Sequence, residues 1–403
     1  MFIKSVVPSM IHNSRGEKSI QIKLKTYEGS FTASAPSGKS RGKNEVEPYN
    51  LQGIEKSYKL LRSLCEKFVG QNISIKKIED LKQIVEVVKK FEGKHGHLGG
   101  NVIYALETAF LKAAASEKKQ ELFEFIFDEV GEGMRPKMPM PVGNCIGGGL
   151  HSEKVHGKRP DFQEFLLIPQ EKTFARAVTV NIRAYDYARR LLRARGKNDE
   201  GAWRTDKTNE EVLDVLKQIS ERYGVRMGVD VASSTFYEKG YYNYKNKDLI
   251  RDKIDQADYM EKLIKKYGLF YVEDPMQEED FGGFKEVLGF VKEYHSKAMV
   301  VGDDLTTTNL KQVRRAVAGG VINAMIVKPN QIGSILEVKQ VVAFCKKHDI
   351  KIIFSHRSGE TMDDALADYA VGFGADFLKT GISGPERLIK LKRVMDIERK
   401  VRG

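Results

Sequence analysis

The chain has 403 residues, of which 41% are hydrophobic and 30% are charged, and it carries a formal net charge of +12 at pH 7. This composition is ordinary for a folded globular protein, so it excludes an intrinsically disordered chain, and the length predicts about two to three domains. The lysines are scattered through amphipathic stretches without an interleaved aromatic tract, which disfavours nucleic-acid binding and favours a lysine-rich surface with some positive charge directed at an anionic substrate.

The first third of the chain predicts a small α+β domain. Residues 17–35 alternate between apolar and polar side chains, as a β-hairpin with a turn at 27–29 does. Helical periodicity follows around residues 51–68, 76–91 and 101–117. Three prolines within residues 134–141 then rule out a continuing helix and mark a domain junction. We therefore predict an N-terminal domain over 1–130 and a second domain over 131–403.

The second domain opens irregularly and then becomes regular. Two strand-like runs, PVGNCI and FQEFLLI, come first, and helical patterns follow near 172–195 and 208–222. After them, one unit occurs six times: a short apolar run ends on a charged or titratable residue, and a helix-compatible stretch follows. The run ends are, in order, Asp230, Glu273, Asp303 with Asp304, Lys328, His356 and Lys379.

The spacing of these run ends predicts a closed α/β barrel. Successive ends, counted to the first of the paired aspartates, lie 43, 30, 25, 28 and 23 residues apart, which is the length of a buried strand, a loop, a helix and the return. Such units wind right-handed into a parallel sheet, and six or more of them suggest closure. The two opening strands lack a helix between them, so we expect them to form a hairpin. At the carboxyl ends of the strands, the charged residues should converge in one mouth.

Three carboxylates on consecutive strands, those of Asp230, Glu273 and Asp303, predict a bound cation. A single strand-end acid often only caps the next helix. Three that converge would raise the free energy of each other's ionised form, and oxygen ligands in such a set suit Mg²⁺. Neighbouring side chains on a strand point to opposite faces, so only one of Asp303 and Asp304 should face the mouth. The pattern itself does not choose between them.

The remaining run ends suggest a base and an anion site. Lys328 and Lys379 end otherwise apolar strands, where each is either a salt-bridge partner or a functional group whose pKa neighbouring cations would lower. His356 opens a donor-rich turn in which the planar guanidinium of Arg357 suits a phosphate or a carboxylate, although an ordinary polar turn has a similar composition. Segment 37–42, SGKSRG, is flexible and basic enough to close over an anion, but such loops are common.

The cysteines and the amino terminus bear on the compartment. Cys65, Cys145 and Cys345 are widely separated and odd in number, which argues against a disulfide framework or a zinc cluster and favours a reducing cytoplasm. The longest apolar runs have the length of strands, and the first residues lack the pattern of a secretory signal. We therefore expect a cytoplasmic protein without a membrane partner.

The chain resembles enolase, or phosphopyruvate hydratase, in a series of segments that occur in order. These segments are APSGKSRG, GGGLH followed by FQEFLLIP, NDEGAW, GVDVASSTFY, VEDPMQEED, VGDDLTTTN, KPNQIGS, SHRSGET and FLKTG. The resemblance extends from about Ser14 to Arg387, and the short carboxyl end is similar to that of archaeal members. It implies a TIM-like barrel of irregular ββαα(βα)6 order behind a smaller α+β domain, and a lyase of glycolysis and gluconeogenesis that interconverts 2-phosphoglycerate and phosphoenolpyruvate.

The resemblance also implies the groups that act on the substrate. The first Mg²⁺ would be held by Asp230, Glu273 and Asp303, with Asp303 preferred to Asp304 on this ground alone. Lys328 would remove the C2 proton, and Glu200, assisted by Glu164, would protonate the departing C3 hydroxide. The enolase superfamily is a known case of a lysine or histidine base that works beside Mg²⁺.

On the substrate side, the resemblance implies that His356, Arg357 and Ser358 hold the phosphate end and that Lys379 holds the carboxylate. Ser40 would bind a second Mg²⁺ together with substrate, and His151 would be the histidine of a mobile loop. The loop from 151 to 163 also holds His156, so the choice between the two histidines stays open. A homodimer or a larger homo-oligomer is implied by the family and by nothing else in the sequence.

The chain departs from the family pattern near the site. It has SGKSR, with Lys39 and Arg41, where SGAST is common, NDEGA where GDEGG is common, and Asn13 at a usually acidic position. These changes leave open an enolase paralogue that acts on another phosphorylated acid or acid sugar. A protein that retains the fold only for binding is a third possibility, against which the retained lysine and carboxylates argue.

Overall fold

A computed structural model describes residues 1–39, 41–131 and 135–402 of the protein. Its N-terminal domain contains an antiparallel sheet of three strands, β1 (Ser5–His12), β2 (Lys18–Lys25) and β3 (Ser30–Ser34), in the order β1-β2-β3. The predicted hairpin is therefore confirmed as β2 and β3, while β1 was not predicted. Alternation explains the sheet, because the apolar residues Ile20, Ile22 and Leu24 of β2 are all buried.

Four helices follow this sheet. They are α1 (Ile54–Cys65), α2 (Lys82–His95), α3 (Gly100–Glu117) and α4 (Leu122–Val130). Two of them, α1 and α3, pack against the sheet. Helix α3 is rich in alanine and leucine, good helix formers, and is buried over most of its length against β2 and β3. The three predicted helices are present, although the second starts later than the pattern suggested, and α4 was not predicted.

The second domain is a closed barrel. The strands after residue 139 are β4 (Met140–Gly147), β5 (Glu164–Pro169), β6 (Trp203–Arg204), β7 (Val225–Asp230), β8 (Tyr237–Glu238), β9 (Tyr241–Tyr244), β10 (Leu249–Arg251), β11 (Tyr271–Glu273), β12 (Met299–Gly302), β13 (Ala324–Val327), β14 (Lys351–Ser355) and β15 (Phe377–Lys379). The ring runs through β4, β5, β7 and β11 to β15, and the pairing of β15 with β4 closes it. Strand β5 is antiparallel to both neighbours, and the other ring pairs are parallel.

The barrel helices follow the predicted order. They are α5 (Phe174–Leu192), α6 (Asn209–Tyr223), α7 (Lys253–Tyr267), α8 (Phe281–Tyr294), α9 (Leu310–Gly319), α10 (Ile335–Lys347), α11 (Ala365–Gly372) and α12 (Pro385–Arg402). Together with the strands they give the expected ββαα(βα)6 sequence. Local chemistry sets the boundaries of α6: Thr208 and Glu211 form a reciprocal capping box, and Gly224, at φ 63°, ends the helix and turns the chain into β7.

One part of the barrel domain was not predicted. Strands β8, β9 and β10 form a small antiparallel sheet between β7 and α7, within a Tyr-rich stretch that the unit pattern treats as a loop. None of the helices described combines the length and apolar character needed to cross a bilayer.

A buried carboxylate joins the two domains. Glu107 of α3 is fully buried, and its Oε2 accepts a hydrogen bond of 2.6 Å from the backbone N–H of Ile335, the first residue of α10. No hydrogen-bond partner for Oε1 is present among the residues described. Burial raises the pKa of Glu107 to about 8, because the ionised form is poorly solvated there.

We expect Glu107→Gln to stabilise the protein above pH 8. The pKa is raised on folding, so the stability that Glu107 contributes is complete below pH 4.5 and is lost as the pH rises to about 8. Glutamine keeps the acceptor for Ile335 without the charge. We expect it to raise the free energy of unfolding at pH 9 by about 2 kcal/mol, which is less than the full pKa shift would give at ~1.4 kcal/mol per pKa unit. Thermal unfolding at pH 5 and pH 9 tests this, with the exposed Glu86→Gln as control. An equal shift in melting temperature at both pH values would contradict it.

Candidate active site

Strand register places three acidic side chains at one level of the barrel mouth. Glu164 of β5 pairs with Asp230 of β7, and Asp230 pairs with Glu273 of β11. All three are buried. Adjacent strands in register therefore bring together a carboxylate from the opening hairpin and two from the regular units.

Lys379 of β15 inserts its ammonium group among these carboxylates. Its Nζ lies 2.8 Å from Oε2 of Glu273, 3.1 Å from Oδ2 of Asp230 and 3.5 Å from Oε2 of Glu164. Burial lowers the pKa of Lys379, but the charges of Asp230 and the other acids outweigh burial and hold it well above its usual range. Even so, burial and Asp230 raise the pKa of Glu273 to about 8. One lysine thus compensates the negative charge incompletely.

The pair Asp303 and Asp304 lies just beyond β12. Both side chains line the site pocket, so the prediction that only one of them faces the mouth is wrong. The strand ends at Gly302, and side-chain alternation does not extend into the following turn. Asp274 fixes this turn, because its two carboxylate oxygens accept the backbone N–H groups of Asp303 and Asp304 at 3.0 and 2.7 Å.

Lys328 pairs directly with Asp303. The ammonium of Lys328 donates a short hydrogen bond to Oδ2 of Asp303, while Oδ1 has no hydrogen-bond partner among the residues described. Burial lowers the pKa of Lys328, but the charge of Asp303 outweighs burial and the net shift is upward. Arg357 and Lys379 do lower the pKa of Lys328, but the predicted net lowering is wrong because the nearest charge is the Asp303 carboxylate.

The turn after β14, which lies between β13 and β15, supplies further polar groups to the pocket. His356, Arg357 and Ser358 all line it. Burial lowers the pKa of His356 well below its usual range, so the imidazole is neutral, and both ring nitrogens lack a hydrogen-bond partner within the described ranges. Two free nitrogens at a buried position mark a place for a ligand. The Oγ of Ser358 accepts a hydrogen bond from Arg15, which fixes this turn to the N-terminal domain.

Glu200 and His151 form a second buried group. Nδ1 of His151 lies 3.0 Å from Oε1 of Glu200, and Asn144 of β4 donates a 3.0 Å hydrogen bond to the other oxygen. Asn198 holds the turn itself, because its Oδ1 accepts the backbone N–H groups of Glu200 and Ala202. The asparagine of the unusual NDEGA segment therefore positions Glu200.

Glu164 and Glu200 differ in protonation although they are neighbours. Their carboxylates and the His151 imidazole lie within 4.8 Å of one another. Burial and the charge of Glu200 hold the pKa of Glu164 well above its usual range. Burial also raises the pKa of Glu200, but His151 outweighs it and holds the pKa well below the usual range. These opposite pKa shifts favour a proton on Glu164 and an ionised Glu200.

The two candidate loop histidines lie in different surroundings. His151 is buried in the site pocket, whereas the side chain of His156 is 85% exposed and pairs with Asp206 at 3.0 Å on the surface. Of these two histidines, the structure brings His151 and not His156 to Glu200.

A loop of the N-terminal domain, described over residues 36–39 and 41–47 and called the 36–47 loop, crosses the barrel mouth. Lys39 of this loop pairs with Asp199 at 3.1 Å, next to Glu200, while Arg41 pairs with Glu47 within the loop. Ser40, which the family resemblance connects with a second Mg²⁺, lies outside the residues described. The unusual lysine of SGKSR therefore connects the loop to the turn that carries Glu200.

The acidic groups fit a divalent cation. Two observations favour a cation in this mouth. Asp303 has a buried carboxylate oxygen without a hydrogen-bond partner among the residues described, and burial and Asp230 raise the pKa of Glu273 to about 8. Two close groups of possible ligands surround it: His151 with Glu164 and Glu200, and Asp274 with Asp303 and Asp304. The predicted set of Asp230, Glu273 and Asp303 is more widely spaced than either group, and Lys379 and Lys328 occupy the space between its members.

Comparison with known proteins identifies the family. A model of the enolase N-terminal domain matches residues 3–126, and a model of the enolase C-terminal TIM barrel domain matches residues 135–402. The chain belongs to the enolase family. It is 34% identical to the enolase of Picrophilus torridus over 99% of both chains, and 34% identical to that of Methanosphaera stadtmanae over 99% of this chain and 97% of the relative. The enolase of Pyrobaculum aerophilum is 35% identical over 96% of this chain and 94% of the relative.

Membership in the enolase family gives the reaction class. The protein is a hydro-lyase, a phosphopyruvate hydratase, that acts on a phosphorylated acid and depends on a divalent metal. The expected TIM-type barrel and the archaeal character of the chain are confirmed. Sequence reasoning missed three residues of this enolase site: Asn144, Asp274 and Glu45, the last of which lies after the SGKSRG segment in a stretch without a recognisable pattern.

Proposed function

We propose that the site dehydrates 2-phosphoglycerate to phosphoenolpyruvate with Lys328 as the base and Glu200 as the acid. The observation that carries this proposal is the separation of two ionisable groups in one pocket: Lys328 beside Asp303 at one side, and Glu200 with Glu164 and His151 at the other. A reaction that removes a proton from C2 and a hydroxide from C3 requires such a pair.

Lys328 would take the C2 proton in its neutral form. Asp303 now favours the ammonium form, so the base is available only when the negative charge of Asp303 is engaged elsewhere. A proton next to a carboxylate is weakly acidic, and its loss leaves an enediolate with a second negative charge on that carboxylate. Lys379, deep in the mouth, is suited to face the substrate carboxylate and stabilise this charge.

Proton delivery to C3 would use the group around Glu200. The leaving hydroxide needs a proton, and Glu164 retains one beside Glu200. Transfer of that proton to Glu200 would supply the acid, while Asn144 keeps the carboxylate in place. We propose that His151, rather than His156, is the loop histidine, which its contact with Glu200 supports.

The phosphate end would lie against His356, Arg357 and Ser358, and Ser40 would complete the site from the loop. We propose Mg²⁺ as the metal, with a first ion held by Asp230, Glu273 and Asp303 and a second that enters with substrate. When bound, the ions would neutralise the charge that develops on the substrate carboxylate. Oxygen-only ligands at the first position support Mg²⁺.

Three broader features are also part of the proposal. The family resemblance supports a homodimer or an assembly of dimers. The predicted domain boundary after residue 130 is consistent with β4, the first barrel strand, starting at Met140. The buried cysteine thiols and the reaction itself support a place in cytoplasmic glycolysis and gluconeogenesis. Size-exclusion chromatography with light scattering would test the assembly.

Formation of phosphoenolpyruvate tests the function and its metal. We expect absorbance from phosphoenolpyruvate to rise when 2-phosphoglycerate and Mg²⁺ are added, to stop with a chelator, and to return with excess Mg²⁺. Glycerate without the phosphate should give no product. Turnover of other phosphorylated or sugar acids in place of 2-phosphoglycerate would favour the paralogue, and salt-sensitive DNA binding without turnover would favour a binding protein.

A further inference from the structure

The guanidinium of Arg357 is held by a carboxylate from the other domain. Nη1 donates to Oε2 of Glu45 at 3.0 Å, and Nη2 donates to Oε1 of Glu45 at 3.3 Å. The Arg357 side chain is 6% exposed and that of Glu45 5% exposed. A bidentate pair between two buried charges has a fixed geometry, since guanidinium and carboxylate are both planar.

The 36–47 loop holds Glu45 and encloses the guanidinium. Oε1 of Glu45 also accepts the backbone N–H of Gly42 at 3.1 Å and the side-chain amide of Gln331 at 3.3 Å. On another side, Gly38 packs so closely that a Cβ there would lie 1.9 Å from Nη2 of Arg357. Glu45 is therefore anchored independently of Arg357, and the loop contacts the guanidinium at two points.

The guanidinium group has two edges that can bind an oxyanion. Glu45 uses the edge formed by Nη1 and Nη2, while the second edge is formed by Nε and Nη2. Both Glu45 and Arg357 line the pocket that also contains His356 and Ser358. Because the guanidinium is planar and rigid, a carboxylate held on the Nη1 and Nη2 edge fixes the orientation of the whole group at this pocket.

We propose that Glu45 is a positioning residue that holds Arg357 in the orientation that binds the substrate phosphate, so that phosphate affinity depends on the placement of the 36–47 loop. The proposal rests on the proposed role of Arg357 at the phosphate end. The opposite relation would make Glu45 a competitor that the phosphate displaces. The contacts of Glu45 with Gly42 and Gln331 favour the first relation, because they keep the carboxylate in place when a phosphate arrives.

Glu45→Gln tests this relation because the two alternatives change affinity in opposite directions. We expect KM for 2-phosphoglycerate and the inhibition constants of 2-phosphoglycolate and inorganic phosphate to rise by about tenfold or more, since a charge-assisted bidentate pair is lost. The value of kcat should change by less than about threefold, since a loss confined to ground-state binding affects KM. Glu45→Asp, which keeps the charge, should lie between Glu45→Gln and the native protein. Glu47→Gln, on the same loop but in the exposed pair with Arg41, is the matched control and should have no effect.

Each other outcome has a definite meaning. Tighter phosphate binding in Glu45→Gln would identify Glu45 as a competitor and overturn the proposal, as would a fall in kcat at unchanged KM. Arg357→Lys separates the proposal from the role on which it rests. If Arg357→Lys weakens phosphate binding and Glu45→Gln does not, the positioning role is wrong and the phosphate site stands. If neither variant weakens it, Arg357 does not bind the phosphate and both assignments are wrong. Should Glu45→Gln fail to fold, the same comparison is made with Glu45→Asp, for which unchanged phosphate binding overturns the proposal.

Discussion

Replacement of Lys328 by methionine lowers kcat for dehydration of 2-phosphoglycerate by about 10⁴-fold, the upper range for loss of a general base. Lys328 is the lysine whose ammonium contacts Asp303 at the mouth, and methionine fills similar space without a basic nitrogen. Steady-state formation of phosphoenolpyruvate at saturating Mg²⁺ measures the loss. The KM should change much less than kcat, because the proposed phosphate contacts remain.

The control for this variant is a lysine at the other end of a barrel strand. Lys351 starts β14, at the end of the strand opposite to the mouth, and lies 3.8 and 3.6 Å from Asp349 and Asp376. Lys351→Met should keep native kcat. Because Lys328→Met leaves Asp303 without its cation, circular dichroism and thermal unfolding must show that the variant is folded. A folded Lys328→Met protein with more than about a tenth of native kcat would exclude Lys328 as the base.

Replacement of Glu200 by glutamine lowers kcat by about 10²- to 10⁴-fold, as expected when an acid is removed from a step that expels hydroxide. Glutamine retains an oxygen for the hydrogen bond from Asn144 but cannot transfer a carboxyl proton. The same assay measures the effect. Glu153→Gln, at an exposed glutamate that pairs with Arg204, is the control and should leave kcat unchanged. Native kcat in Glu200→Gln would move the acid role to another group, with Glu164 the first to examine.

The barrel and the strand-end residues were predictable because they follow from periodicity. Buried parallel strands are short apolar runs, and a charged residue at the end of each can lie only at the mouth. This spacing predicts the order of the strand and helix units, the closure of the sheet and the proximity of Asp230, Glu273 and Lys379. The family resemblance was needed for Glu164 and Glu200, which lie outside the regular units.

Other features depend on contacts that no local pattern reveals. Glu45 follows the basic SGKSRG segment, and its proposed role depends on its contact with Arg357 across the domain interface. The expected orientation of Asp303 and Asp304 failed because β12 stops at Gly302, a boundary that the apolar run does not define. The raised pKa of Lys328 depends on which charge is nearest, and that requires coordinates.

Hydrogen exchange at C2 tests most directly the central claim that Lys328 removes the C2 proton and Glu200 acts afterwards at C3. We would incubate 2-phosphoglycerate with each variant in D₂O and Mg²⁺ and follow the C2 proton signal by NMR. We predict that Glu200→Gln exchanges the C2 proton for deuterium while forming little phosphoenolpyruvate, and that Lys328→Met exchanges none. Exchange by Lys328→Met, or its absence in a folded Glu200→Gln protein, would contradict the assignment of base and acid.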